Sequence, residues 1–134
     1  MPGQGSGNGN GKPGEGNGKR VLVTAADGGV GILVVHLAKL AGAYVVGTCG
    51  SANADFVRGL GADEVLDYRT TSLWEWVRDD EAAKRFDFVL DCVGGETLRQ
   101  AWKAARENGV VISIAEPADG KRPEDDVAEG VRSK

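Results

Sequence analysis

At 134 residues the chain has the length of one domain, and a 41% hydrophobic fraction suits a globular protein. A net charge of −4 without a basic stripe argues against a nucleic-acid partner, and no apolar run is long enough to cross a bilayer. Two cysteines, Cys49 and Cys92, and one histidine, His36, are too few for an ordinary four-ligand zinc site. No zinc is therefore expected, and without an apolar leader the expected compartment is a reducing cytoplasm.

Residues 1–19 are mostly Gly, with Asn, Gln, Ser, Pro and Lys. Nothing there can build a core, so the segment reads as a flexible linker, either native or an artificial extension. Residues 20–116 read as the folded domain. Val21-Leu22-Val23 is a short apolar strand. It breaks at Ala25-Ala26-Asp27-Gly28-Gly29-Val30-Gly31 and runs into a helix pattern over Gly29–Ala41. Val30, Leu33, Val34, Leu37 and Ala41 keep the spacing of one buried face, with His36 beside it, and Gly42 closes the helix. Ala43–Cys49 is a second strand. Asn53 is placed to cap a short helix carrying Phe56, Val57 and Leu60, ended by Gly61. Glu64–Tyr68 is a third strand. Ser72-x-x-Glu75 has the form of a capping box for a helix whose apolar face is Leu73, Trp76 and Val77, leaving Trp74 outside. Phe86–Cys92 is a fourth strand. Leu98, Ala101, Trp102 and Ala105 mark the next helix, which Asn108-Gly109 terminates before a fifth strand, Val110–Ala115. Residues 117–134, with Pro117, Gly120 and Pro123, read as an irregular tail.

Regular β-α alternation at this spacing predicts an α/β protein: a Rossmann-type, doubly wound parallel sheet in three α/β/α layers. Right-handed crossovers give strand order 3-2-1-4-5. Ligands of such sheets bind at the carboxyl edge, where strands 1 and 4 diverge. That rule gathers Ala25–Gly31, Cys49–Asn53 and Cys92–Gly95. It also keeps the two cysteines roughly 9.5 Å apart, two strand spacings, which is too far for a disulfide.

The glycines have a chemical reading. Gly28 and Gly29 let backbone approach a pyrophosphate, Gly31 lets the helix pack on its strand, and the helix N-terminus offers free N–H groups. Ala26 stands where G-x-G-x-x-G has its first glycine. An NAD site usually has an acid about 20 residues further on, holding the ribose. Thr48-Cys49-Gly50-Ser51 has none. A carboxylate there would repel a 2′-phosphate, so its absence favours NADP(H), with NAD(H) the alternative. Ser51, Asn53 and Tyr68 are the nearest candidate phosphate contacts.

These residues, together with Leu37-Ala38-Lys39, Leu60-Gly61-Ala62-Asp63, Asp67-Tyr68 and Asp91-Cys92-Val93-Gly94-Gly95, resemble the cofactor domain of medium-chain dehydrogenases/reductases. The similar branch is that of zinc-independent quinone oxidoreductase-like enzymes and enoyl reductases. The resemblance runs from about Arg20 to Lys134. It implies NADPH-dependent hydride transfer to a quinone, enone or similar carbonyl compound. It places Ala25, Ala26, Asp27, Gly28, Gly29, Val30 and Gly31 at the pyrophosphate, and Ser51, Asn53 and Tyr68 near the adenosine phosphate. Cys92, Val93, Gly94, Ser113, Ile114 and Ala115 would line the route to the nicotinamide. The family has an N-terminal catalytic domain, forms homodimers as full-length enzymes, and continues past the fifth strand with a further strand. Neither that domain nor the further strand is expected in this chain, which resembles the cofactor half and should bind cofactor without turnover. A basic residue common near Ala52 or Asn53 in that branch is missing. A short-chain dehydrogenase would want Tyr-x-x-x-Lys, but Thr48 follows Tyr44 and Ser72 follows Tyr68 at that spacing. A non-catalytic nucleotide-sensing module is the remaining alternative.

Overall fold

The computed structural model describes residues 18–134; most of the expected linker, residues 1–17, lies outside the described residues. Six strands form one parallel sheet: β1 (Arg20–Val23), β2 (Tyr44–Cys49), β3 (Glu64–Asp67), β4 (Phe86–Asp91), β5 (Ala105–Ser113) and β6 (Arg132–Ser133). Their spatial order is β3-β2-β1-β4-β5-β6, the expected 3-2-1-4-5 with one strand added at the edge. Between them lie α1 (Gly29–Leu40), α2 (Ala54–Gly59), α3 (Leu73–Arg78), α4 (Glu81–Lys84) and α5 (Gly95–Ala104).

Strand alternation builds two cores, one on each face. Val21, Val23, Val45 and Leu90 point to one side, where Val35 of α1 and Val57 of α2 meet them. Leu22, Val46, Val89 and Val111 point to the other and pack with Leu73 and Val77 of α3 and Leu98 and Trp102 of α5.

The buried face of α1 differs from the expected one. Val30, Leu33 and Leu37 are 45–55% exposed, and Ala41 is also exposed. The face on the sheet is Gly31, Val34, Val35 and Ala38. Gly31 sets it: a Cβ there would fall 2.9 Å from the Ala26 Cα and closer still to the Ala25 carbonyl oxygen. The helix presses its smallest residue against the turn, which rotates the larger leucines outward. Gly42 does end the helix, with φ of 91°. His36 is exposed.

Two expected caps are also wired differently. Asn53 precedes α2, yet its side chain makes no cap bond. Ser72 precedes α3, but Gln100 of α5 reaches across to accept from the Trp74 N–H at 3.0 Å and the Ser72 hydroxyl at 3.2 Å. A tertiary contact thus does the work of the local box. Trp74 is half-buried, with the Arg85 and Lys103 cations each 5.8 Å from its ring.

The last helix stops at Ala104, not beyond Ala105, which already pairs with Phe86. Phe88 then pairs with Val110, so residues 106–109 bulge out of register. Asn108, at φ of 62°, and Gly109 turn within the strand; they do not precede it. The segment 117–134 is not wholly irregular. Ala118 accepts from the Trp102 indole at 2.8 Å, Val131 is buried, and β6 pairs with Val110 and Val111. Two residues of strand, with charged neighbours, give no period to read. The further strand thought missing is therefore present.

Candidate functional site

Three segments meet at the carboxyl edge, and backbone chemistry explains how. β1 ends at buried Thr24, whose hydroxyl donates to Asp91 Oδ1 at 2.8 Å and accepts the Cys92 N–H at 2.9 Å. Asp91, fully buried at the end of β4, also accepts from the Gly94 N–H and the Ser113 hydroxyl through Oδ2, at 2.8 and 2.9 Å. One carboxylate thereby ties together the ends of β1, β4 and β5. A buried charge is tolerable only when so many donors face it.

After Thr24 the chain turns sharply. Ala25 adopts φ of 54°, a conformation that L-residues seldom take, and its N–H donates to the Thr48 hydroxyl at 3.1 Å. Ala26, the residue in the first-glycine place, faces away from the edge. It is fully buried, its N–H donates to the Thr48 carbonyl, and its Cβ presses on Gly47. Gly28 is the N-cap of α1, and among the described residues no side chain caps that helix. The first-turn N–H groups and the positive end of the helix dipole are therefore free to meet an anion.

Two clefts flank the turn. One, of about 350 Å³, is lined by Ala25, Gly28, Gly29, Val30, Gly31, Cys92 and Ile114. The other, of about 340 Å³, is lined by Ala25, Asp27, Thr48, Cys49, Tyr68, Val93 and Thr97. Most of the expected site residues converge on this edge. Ser51 and Asn53 are exposed and line neither cleft, and Asn53 donates to Asp27 Oδ2 at 2.8 Å. Gly94, at φ of 80°, is buried behind the rim, and Ser113 serves Asp91 and the Ala115 N–H. Thr48 and Thr97 are lining residues that sequence reasoning passed over; a lone threonine at a strand end or helix start has no spacing to single it out.

The electrostatics are mild on one side and acidic on the other. Burial, then the neighbouring Asp91 charge, pushes the Cys92 thiol above its ordinary range, so it stays protonated at neutral pH. Burial, with Asp27 and Asp67, does the same to Cys49. Both thiols are free. Glu116 accepts from Lys121 Nζ and the Gly95 N–H, each at 2.7 Å, and these bonds hold it below the usual carboxylate range. Among the described residues no three His, Cys, Asp or Glu side chains are placed to share a metal ion.

A parallel sheet in this order, with an uncapped glycine-turn helix at its carboxyl edge, defines a Rossmann-type nucleotide-binding domain. The zinc-binding dehydrogenase family model matches residues 29–129, and the chain belongs to that family. It is 47% identical over 94 residues to an Arabidopsis thaliana chloroplast envelope quinone oxidoreductase homolog, covering 70% of this chain and 28% of that one. A chloroplastic quinone-oxidoreductase homolog of Spinacia oleracea is 48% identical over 96 residues, with 72% and 29% covered. The quinone oxidoreductase structure from Coxiella burnetii superposes with a TM-score of 0.71 at 30% identity, covering 80% of this chain and 32% of that chain. The chain thus spans about three-tenths of the length of these relatives. It is a cofactor-binding domain of the medium-chain dehydrogenase/reductase superfamily, of the quinone oxidoreductase and enoyl reductase-like branch.

Proposed function

We propose that the chain holds NAD(P)H across the carboxyl edge, with Ala25–Gly31 at the pyrophosphate, and serves an oxidoreductase that reduces a quinone, enone or similar carbonyl compound. The observation that carries this reading is the open cradle at the turn. A Cβ built on Gly29 meets nothing within 4 Å, so no other described residue occupies the space over it. Uncapped N–H groups surround it. The donor set suits a pyrophosphate, which needs close backbone and positive helix dipole more than side chains. The nicotinamide end would lie against Cys92 and Ile114, the adenosine end against Tyr68 and Thr48. When bound, the dinucleotide supplies the hydride. The chain's own residues bind it, orient it and wall off one side with apolar surface. The surface facing the substrate is proposed to come from the part of the enzyme that the relatives carry outside this span.

The test is a titration of NADH and NADPH followed by ligand fluorescence, on wild type and Gly29→Val. The valine reaches into open space and leaves the fold intact, but it occupies the phosphate's approach. Binding should weaken about tenfold or more. Equal affinity in both proteins would overturn the assignment.

A further inference from the structure

The end of β2 carries no acid, and that absence alone favours a 2′-phosphorylated nucleotide. The structure supplies an acid from elsewhere. Asp27, at the tip of the glycine turn, is linked to Asn53 just beyond β2 by a 2.8 Å hydrogen bond. Asp27 lines the cleft shared with Thr48, Cys49 and Tyr68, and the bond to Asn53 holds its carboxylate there. Asn53 engages Oδ2, and Oδ1 remains to accept from a ligand.

The surroundings reinforce that charge. Cys49, the last residue of β2, feels Asp27 and Asp67 more strongly than it feels Arg58. Arg58 itself pairs with Asp55 at 3.2 Å. Among the described residues no cation lines the cleft. Arg69, the other cation nearby, is stacked over the Tyr68 ring, 5.7 Å from its centroid. Of the neutral groups that a phosphate could use, the Asn53 amide already donates to Asp27.

We propose that Asp27, clamped by Asn53, selects NAD(H) over NADP(H). The inference rests on the dinucleotide reading above. Vicinal ribose hydroxyls are donors, and a carboxylate is a pure acceptor. A 2′-phosphate replaces one donor with a group of charge about −1.5 to −2 at pH 7, set against a fixed negative charge. Like charges brought together in an interface discriminate strongly. In most NAD sites the acid comes from the end of the second strand; here the first turn supplies one to the cleft that Thr48 and Cys49 line.

Calorimetry on the 134-residue chain with NADH and NADPH decides the matter, for wild type, Asp27→Asn and Asp27→Ser. Wild type should bind NADH about tenfold or more tighter than NADPH. Asp27→Asn keeps the size of the side chain and removes the charge, and should bring the two affinities within about threefold. The same ratio measured with 5′-AMP and adenosine 2′,5′-bisphosphate should change in parallel, which places the effect at the adenosine end. Tighter NADPH binding by wild type, or a ratio unmoved in both variants, would overturn the proposal while leaving the dinucleotide reading standing. Failure of wild type to bind either nucleotide would overturn both.

Discussion

Asp91 is the residue on which the edge depends. It is fully buried and receives three donors from two strand ends and a loop. Asp91→Ala would leave the Thr24 and Ser113 hydroxyls and the Gly94 N–H unpaired in the interior. Unsatisfied buried donors cost about 1–3 kcal/mol each, partly relieved by entering water. A net loss of about 3 kcal/mol is expected from urea midpoints. Asp91→Asn keeps one acceptor oxygen but turns an amide donor toward other donors, so an intermediate loss is expected. A midpoint unchanged in Asp91→Ala would show that the brace is dispensable. The carboxylate is visible in the sequence only as the first residue of the Asp91–Gly95 motif at the end of the fourth strand. Its hydroxyl partners are not, because Thr24 is 67 residues away and becomes a neighbour only once β1 and β4 are in register. Asp27 follows the same logic. It was visible as a member of the turn, while its clamp to Asn53 spans 26 residues.

Among the elements, α1 shows where hydrophobic period misleads. Counting apolar residues favours Val30, Leu33 and Leu37, and those are exposed. The seat is Gly31, Val34, Val35 and Ala38, an i, i+3, i+4, i+7 row that opens on glycine and so contributes little to any hydrophobicity sum. Close approach, not apolar mass, decides the rotation. Gly31→Ala should therefore destabilise by about 1–3 kcal/mol, since its Cβ would strike backbone that cannot move aside. Leu37→Gln should stay within about 0.5 kcal/mol. Thermal or urea unfolding of both variants checks this, and the reverse ranking would restore the leucine face. The strands were easier to read. Parallel strands buried on both faces are plain apolar runs between glycine turns, so β1, β2 and β4 and their order were visible. β6 was not, because two residues held by register with Val110 and Val111 leave no local trace. The Gln100 cap on α3 was hidden for the same reason: its partner belongs to another helix.

For the whole molecule, the proposed function makes the edge one wall of a reaction site. Hydride transfer needs the nicotinamide held against its acceptor at near-attack distance, in a space closed to water. The cleft beside Cys92 and Ile114 is bounded by Ala25, the three glycines and Val30, with no lysine, histidine, tyrosine or carboxylate among its lining residues. Its one ionisable group, the Cys92 thiol, is held protonated by burial and Asp91. Nothing in that lining can pass a proton to a reduced carbonyl at neutral pH. The chain is therefore expected to bind NAD(P)H without oxidising it when quinones and enones are added. Nicotinamide absorbance measures this, with Gly29→Val as the control for direct chemical reduction of quinone. Saturable oxidation by wild type that the valine variant lacks would show that this edge completes an active site unaided. Parallel slow traces for both proteins are the expected result. They would be joined by rapid turnover only when the part of the relatives lying outside this span is supplied on the same polypeptide.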